Sequence, residues 1–523
     1  MALLNISLTF ENVWPTPAVR WRATLSIELA VCLLGLAAVA HIRRSPLPRL
    51  VAALSAVWTA LAIGRYSAVT APALYGRDFN IYWELRFVPD VVAMVTRVAP
   101  VWLIVVSVAV VVACLTLVYL LLRWSWTTVA AAMMTRGDRR IVFAVAIAAV
   151  VLFFTSRSLF ATPVTPTFVR QARFVVDAFA RASTLPPSPA FDADLAGLTG
   201  TDVFVVFVES YGAVSYERSD IAPSLAPAMA RFEAAIRETK RDVVSAYVES
   251  PTFGGSSWLA HVSLLSGVEV RDPDANAHLM AERRDTLVRL FARRGFRTVA
   301  LMPGLRQRWP EGAFYGFDEI YGATRIGYRG PSFGWFVIPD QFSLYRLDAL
   351  ELDRRPRARL FVFFPTISTH FPFSPTPPYQ PDWSRMANVH PYDAPDLERA
   401  YAREPEWPYF APGYVDAIAY DFETLGAYLR RHADGDFVMI LLGDHQPPAV
   451  LSGRGAPWDV PVHVVAARPD LLGRLIARGF RRGLWPARPA IGRMHALLPR
   501  LLDAFGSGDG HREPEIVRSK EKR

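Results

Sequence analysis

The sequence predicts two parts, an N-terminal α-helical transmembrane bundle and then an α/β domain built on a mostly parallel central sheet. Three observations lead there. Residues 1–156 hold almost all the long apolar runs, whereas the remainder alternates short apolar stretches with Pro, Asp and Arg. Asp202–Val208 is an uninterrupted apolar segment, as expected of a strand buried on both faces of a parallel sheet. Beyond it, strand-like and helix-like segments alternate, the pattern of an α/β sandwich. At 523 residues, 52% of them apolar and 20% charged, the chain has room for two or three domains and a membrane-like average.

Within the first part, residues 23–40, 50–64, 99–122 and 141–156 read as transmembrane helices. The second of these is short before Arg65 and continues through 66–75 if that arginine snorkels. Ala38-Val39-Ala40 has the form of a signal-peptidase site, but the apolar runs downstream favour an uncleaved anchor. Arg43, Arg44 and Arg49 fall in one loop, and Arg123, Arg136, Arg139 and Arg140 in another. With both loops cytoplasmic, everything after Ser156 lies outside the cytoplasm. Residues 80–97 read as interfacial; if they form a fifth span, the last helix still exits outward. The expected location is therefore a bacterial inner membrane, crossed several times, with the large domain on its extracytoplasmic side. Residues 157–199, rich in Pro and Ala with an amphipathic piece near 168–181, read as a linker along the membrane surface.

Charge and cysteine usage exclude some classes of function. The formal net charge is +9, and Lys240, Lys520 and Lys522 are the lysines, so the positive charge is nearly all arginine. These arginines are spread along the chain without a nucleic-acid motif. That argues against nucleic acid as a partner and for a solvated surface or attraction to anionic lipid head groups. Cys32 and Cys114 both sit in apolar runs, which leaves the soluble part without a disulfide or a thiolate metal site.

In the second part, residues 225–239, 256–265, 285–294 and 415–431 read as helices. Residues 202–208, 243–248, 296–301, 360–364, 437–442 and 460–466 read as strands. Chemistry on such a sheet collects at the carboxyl ends of the strands. Four polar groups stand there. Glu209 ends the first strand, Gly254-Gly255-Ser256-Ser257 opens a helix after the second, Thr369-His370 follows 360–364, and Gly443-Asp444-His445 follows 437–442. Singly, a terminal acid is as readily a cap or turn residue and a loop histidine a surface residue; four at one sheet edge point to a site. Carboxylate, imidazole and alkoxide oxygen suit one divalent metal ion, Mn or Zn, with Mg or Ca open. Such an ion lowers the pKa of a serine hydroxyl and neutralises charge on a phosphoryl or sulfuryl group. The glycines let backbone approach an anion, and the helix opening near Ser257 aims N–H groups at it.

Glu209-Ser210, Gly255-Ser256-Ser257, Ser368-Thr369-His370-Phe371-Pro372-Phe373 and Gly443-Asp444-His445 match, in order and spacing, the sulfatase-like branch of the alkaline phosphatase superfamily. Over about residues 200–470 the chain resembles above all lipoteichoic acid synthases and related phosphoglycerol and phosphoethanolamine transferases. The resemblance implies that Glu209, Asp444 and His445 are metal ligands. It makes Ser257 the nucleophile, where many relatives have Thr, also touching the metal and lying ten residues before Gly267 as in the sulfatase motif. Ser256 is the fallback nucleophile, or else the helix N-cap. His370 would bind the substrate phosphate or protonate the leaving oxygen. Arg306, Arg308 and Trp309 fall where relatives hold head-group ligands, and a guanidinium suits phosphate geometry. His261, one helical turn past Ser257, is either within reach of the site or a packing residue; His463 reads as core. Tyr211, Trp335, Asp340 and Gln341 are candidates to line the pocket.

The chain departs from its relatives in ways that bear on activity. Sulfatases that install formylglycine need Pro and Arg at the second and fourth positions after the nucleophile; here Leu259 and His261 stand there. Lipid A phosphoethanolamine transferases carry disulfides in this domain, and the two- or three-metal cluster of alkaline phosphatase is incomplete. The reading that follows is a membrane-bound, metal-dependent transferase in a domain spanning 200–505, followed by a polar tail at 506–523. It would move a phosphoryl head group from a phospholipid donor through a Ser-linked intermediate to a glycan or lipid acceptor of the cell envelope. Two alternatives stay open: a phosphodiesterase or sulfuric ester hydrolase, and a membrane assembly or binding protein that retains the fold.

Overall fold

A computed structural model describes residues 1–43, 48–181, 185–307, 309–334 and 336–507. The chain divides into two compact units, Met1–Ser183 and Thr184–Arg523.

The first unit is helical, with α1 (Ile27–Arg43), α2 (Pro48–Leu74), α3 (Ile81–Val98), α4 (Val101–Met134), α5 (Arg136–Thr155) and α6 (Thr165–Arg181) as its main elements. Among the described residues two stretches are long and apolar enough to cross a membrane, Pro48–Leu74 and Val101–Ala132; Ile27–Ile42 is a shorter apolar helix. Residues 101–121 leave their side chains largely uncovered by protein, as a helix solvated by lipid does; Leu122, Trp126 and Val129 further along are buried. Three arginines and an aspartate in its first turn and a half make α5 less apolar than its sequence from Ile141 onward. The unit closes on Trp58 and Trp126, whose rings meet edge to face at 5.2 Å, while Trp58 Nε1 donates to Ser7 Oγ at 3.0 Å. Asn80 caps α3 by accepting from the Tyr82 N–H, and α3 is amphipathic, as its interfacial reading requires. Part of the segment expected as a linker is the helix α6, which belongs to this unit.

The second unit is an α/β sandwich. Its strands are β1 (Asp202–Val208), β2 (Asp242–Glu249), β3 (Arg297–Met302), β4 (Glu319–Gly322), β5 (Leu360–Pro365), β6 (Phe437–Gly443), β7 (Asp459–Ala466) and β8 (Arg481–Arg482). They form one sheet in the order β8-β2-β7-β6-β1-β5-β3-β4. The run β6-β1-β5-β3-β4 is parallel; β7 runs against both its neighbours, and β8 against β2. The all-apolar reading of β1 has a direct cause. Val203, Val205 and Phe207 enter one core, Phe204, Val206 and Val208 the other, because successive side chains alternate across a sheet. Helices α7 (Ala222–Glu238), α9 (Asp340–Leu347) and α10 (Ala411–Arg431) cover the second face. Helices α8 (Ser257–Ser266) and α11 (Met494–Phe505) cover the first. The expected α/β class with a mostly parallel sheet is thus observed. The edge strands β4 and β8 and the helix α11 were not anticipated. The two strands are four and two residues long, and Pro499 inside α11 breaks its helical signal.

Candidate active site

The carboxyl ends of β1, β2, β5 and β6 point to one edge of the sheet, so the loops after them converge. At β6 this needs a glycine. A Cβ on Gly443 would sit 1.7 Å from the Tyr211 carbonyl oxygen, so only glycine lets the β1 and β6 loops approach this closely. Three non-glycine residues on these loops, Ser210, Ser256 and Phe373, take positive φ near 60°. Strain of this kind persists where surrounding contacts fix it, and it clusters at functional sites.

Glu209, Asp444 and His445 form a buried group whose ligand-type atoms all lie within 4.8 Å of one another. Glu209 Oε1 is 3.3 Å and Asp444 Oδ2 3.7 Å from His445 Nε2. The Ser257 Oγ–H donates to Glu209 Oε2 at 2.7 Å, and Ser257 Oγ lies 3.2 Å from His445 Nε2. The imidazole is oriented by Nδ1, 2.8 Å from the Gln446 carbonyl oxygen; Nδ1–H donation there aims Nε2 at the carboxylates. Asp444 Oδ1 accepts from the backbone N–H of Ser210 at 2.8 Å and of His445 at 2.6 Å. Ser210 Oγ donates to Glu209 Oε1 at 3.0 Å, and the Glu209 N–H donates to Thr366 Oγ1 at 3.2 Å.

The electrostatics follow from burial. Desolvation raises the Glu209 carboxyl, but the adjacent His445 outweighs it and holds Glu209 well below the usual range. Burial and the Glu209 charge push Asp444 well up. His445, lowered by burial, is pulled up to about 9 by Asp444 and Glu209. Two carboxylates and an imidazole crowded together out of water are the donor set that a divalent cation stabilises, since its charge replaces their repulsion with attraction.

The other candidates divide. His370 is near enough for its charge to lower Glu209. Its Nδ1 lies 2.7 Å from the Phe371 carbonyl oxygen and its ring packs edge to face on Phe336 at 4.9 Å. It lines a small pocket with Phe333, Phe336, Ile338, Ser368 and Phe371. Arg306, exposed, reaches the same wall by donating to the Phe336 carbonyl oxygen at 3.1 Å. Arg308 and Trp335 lie outside the described residues. Trp309, half-buried, packs its ring at a tilt on Tyr315 at 5.3 Å against the apolar core. His261 is held between Phe207 at 4.6 Å and Phe363 at 5.3 Å, and burial pushes it down to about 3. Ser256 occupies the N-cap position of α8 without a side-chain cap bond. His463 is core as read, bonded through Nδ1 to Ser245 Oγ at 2.6 Å and through Nε2 to Tyr211 OH at 3.0 Å. Tyr211 is therefore core, and Asp340 and Gln341 are buried behind the His370 loop.

Thr366 and Gln446 were not singled out from sequence, and Ser210 was noted beside Glu209 without a role. Ser210 follows Glu209 directly and its positive φ is invisible in residue type. Thr366 and Gln446 act through one hydroxyl and one carbonyl oxygen, which leave no pattern.

No family model matches the chain, and no curated protein does. Solved structures that match it include the lipoteichoic acid synthase LtaP from Listeria monocytogenes, at 13% identity over 64% of this chain and 80% of that one, TM-score 0.37. The Streptococcus pyogenes phosphoglycerol transferase GacH in complex with sn-glycerol-1-phosphate matches at 11% identity over 66% of this chain and 87% of that one, TM-score 0.39. The C-terminal periplasmic domain of EcEptC from Escherichia coli matches at 13% identity over 55% of this chain and 77% of that one, TM-score 0.35. Identities this low leave the chemistry to rest on the residues of the site itself.

Proposed function

We propose that the chain is a metal-dependent phosphoryl-group transferase of the sulfatase-like branch of the alkaline phosphatase superfamily, with Ser257 as nucleophile. One observation carries this reading: the Ser257 hydroxyl, at the N-terminus of α8, lies 2.7 Å from Glu209 and 3.2 Å from His445 within the buried carboxylate–imidazole group. Glu209, Asp444, His445 and Ser257 would hold one divalent ion, Mn or Zn by donor type, and such an ion supplies charge neutralisation and a lowered serine pKa.

The residues of the chain do the rest. Glu209 orients the Ser257 hydroxyl through its hydrogen bond; the hydroxyl proton passes to solvent, and Oγ attacks phosphorus of a phosphodiester in line with the leaving oxygen. The bond between phosphorus and that oxygen breaks as the new Ser257–phosphorus bond forms, and His370 delivers a proton to the departing oxygen. An acceptor hydroxyl, giving its proton to His370, then attacks phosphorus; the bond from phosphorus to Ser257 Oγ breaks, and Ser257 regains a proton from solvent. N–H groups at the start of α8 hold the phosphoryl oxygens. With membrane-crossing helices in the same chain, a phospholipid such as phosphatidylglycerol is the natural donor, met at high effective concentration. The acceptor would be a glycan or lipid of the cell envelope, outside the inner membrane.

The test is product analysis with labelled phosphatidylglycerol or phosphatidylethanolamine and Mn²⁺ or Zn²⁺. Transfer predicts metal-dependent release of diacylglycerol and a new head-group ester when a glycan acceptor is present. Release of free head-group phosphate regardless of acceptor would make the enzyme a phosphodiesterase. No release from any donor, in protein that holds its metal, would contradict the reading.

A further inference from the structure

Two buried acids stand behind the loop that carries His370. Asp340 opens α9 and is 1% exposed. Its carboxylate accepts from the Ile367 N–H at 3.1 Å to each oxygen and from the Ser368 N–H at 2.7 Å. Its own N–H donates to Ser368 Oγ at 3.2 Å. Asp421 is also 1% exposed, in the middle of α10. Among the described residues no N–H or O–H is aligned with either of its oxygens. Its neighbours are the Asp340 carboxyl and the Thr366 hydroxyl, and Thr366 Oγ1 is the acceptor for the Glu209 N–H.

An ionised carboxylate without donors in a dry interior is strongly disfavoured, and a second ionised carboxylate beside it makes matters worse. One proton between the two removes both penalties, because the protonated acid donates to its charged neighbour. Asp340 already receives backbone N–H bonds, which favour its charged form; Asp421 receives none and is the natural proton carrier. We propose that Asp421 and Asp340 form a carboxyl–carboxylate pair sharing one proton, and that this pair positions the 366–370 loop against Glu209 and His370. The two acids are positioning residues, acting through Thr366 and the loop amides. The role given to the loop rests on the proposed reaction; the proton sharing does not.

The surroundings agree. Burial and the charge of Asp340 push Asp421 well up, and burial raises Asp340 to about 6 against its bonds to Ser368 and Ile367. Tyr420 is the other titratable group facing the pair, and burial together with Tyr392 and both acids keeps its phenol neutral. The groups acting on Asp421 are Asp340 and Thr366, with no cation among them. The folded chain therefore keeps a proton that the unfolded chain releases above about pH 4. Stability must fall as pH rises from there towards the range where the pair itself ionises. Asparagine donates the same hydrogen bond and does not titrate.

The experiment uses the full chain with Asp421→Asn and Asp421→Leu. Infrared spectra near neutral pH should show a protonated-carboxyl band in the wild type that Asp421→Asn lacks. The melting temperature of Asp421→Asn should gain on the wild type as pH rises from about 5 to about 8. Head-group release should survive in Asp421→Asn and fall by roughly tenfold or more in Asp421→Leu at unchanged metal content. Absence of the band, or a pH-independent gap in melting temperature, overturns the pair, as does a cation that co-purifies with the wild type and is lost in Asp421→Asn. Equal release by Asp421→Leu and wild type overturns the positioning role alone. If no variant releases a head group, the infrared and melting arms still decide the proton sharing, and only the proposed reaction fails.

Discussion

Ser257, Glu209 and His445 lie within hydrogen-bonding distance of one another, so removing any of them acts on the same centre by a different route. Ser257→Ala should abolish the covalent intermediate and lower head-group release by about 10³-fold or more, while circular dichroism shows the fold intact. Thr366→Ala acts one shell out. Losing the acceptor of the Glu209 N–H should weaken metal binding by about 10–100-fold, read by titration calorimetry. A third prediction concerns pH. Burial pushes His261 and His463 down to about 3, so the folded chain refuses protons that the unfolded chain takes up below about pH 6.5. The stability they permit is present above that pH and is lost as pH falls towards the folded values, at about 1.4 kcal/mol per pH unit for each histidine. His261→Phe, which suits a slot between Phe207 and Phe363, should flatten that acid limb in denaturant titrations at successive pH values. Residue type at the strand ends pointed to Glu209, Asp444 and His445, and the family resemblance singled out Ser257; the structure brings the four together. Asp421 was not legible, since an acid in the interior of an amphipathic helix looks like any solvated one until its burial is known.

The loops after the strands owe their convergence to local backbone rules. Gly443 is the position where this matters most, with a prospective Cβ 1.7 Å from the Tyr211 carbonyl oxygen. Gly443→Ala must push the β1 and β6 loops apart, at a cost of about 3 kcal/mol, and should shift the denaturation midpoint while also lowering metal affinity. A drop in stability without loss of metal affinity would mean that the two loops move together. The central strands were readable because burial on both faces forces an unbroken apolar run, as in Asp202–Val208. The edge strands Glu319–Gly322 and Arg481–Arg482 bury little and pair on few residues, so they carry no such run. The reversed direction of Asp459–Ala466 is a matter of connection rather than composition, and its residues look like those of its parallel neighbours.

At the scale of the whole molecule, the chain is two compact units with different solvents in view. Residues 101–121 leave their apolar side chains largely uncovered, and Pro48–Leu74 buries only some of its own, whereas the second unit closes two apolar cores around one sheet. The full chain should therefore stay with the membrane fraction after high-salt and alkaline washes. The unit from Thr184 onward, expressed without the helices, should appear in the soluble fraction and unfold cooperatively. Recovery of the full chain in the salt wash would mean that the helices only lie on the membrane. The sequence leaves four or five crossings open, and two helices among the described residues are long and apolar enough to cross. A helix of intermediate apolarity such as Arg136–Thr155 is set in or out of the bilayer by its neighbours as much as by its own residues.

The central claim is covalent phosphoryl transfer through Ser257, and its most direct test is intact and peptide mass spectrometry of the full chain. The purified protein is incubated with phosphatidylglycerol or phosphatidylethanolamine in the presence of Mn²⁺ or Zn²⁺, quenched and digested. The account predicts a metal-dependent adduct on the peptide containing Ser256 and Ser257, lost in Ser257→Ala, with a mass that names the transferred head group. An adduct that persists in Ser257→Ala, or no adduct with any donor in protein shown to hold its metal, would contradict it.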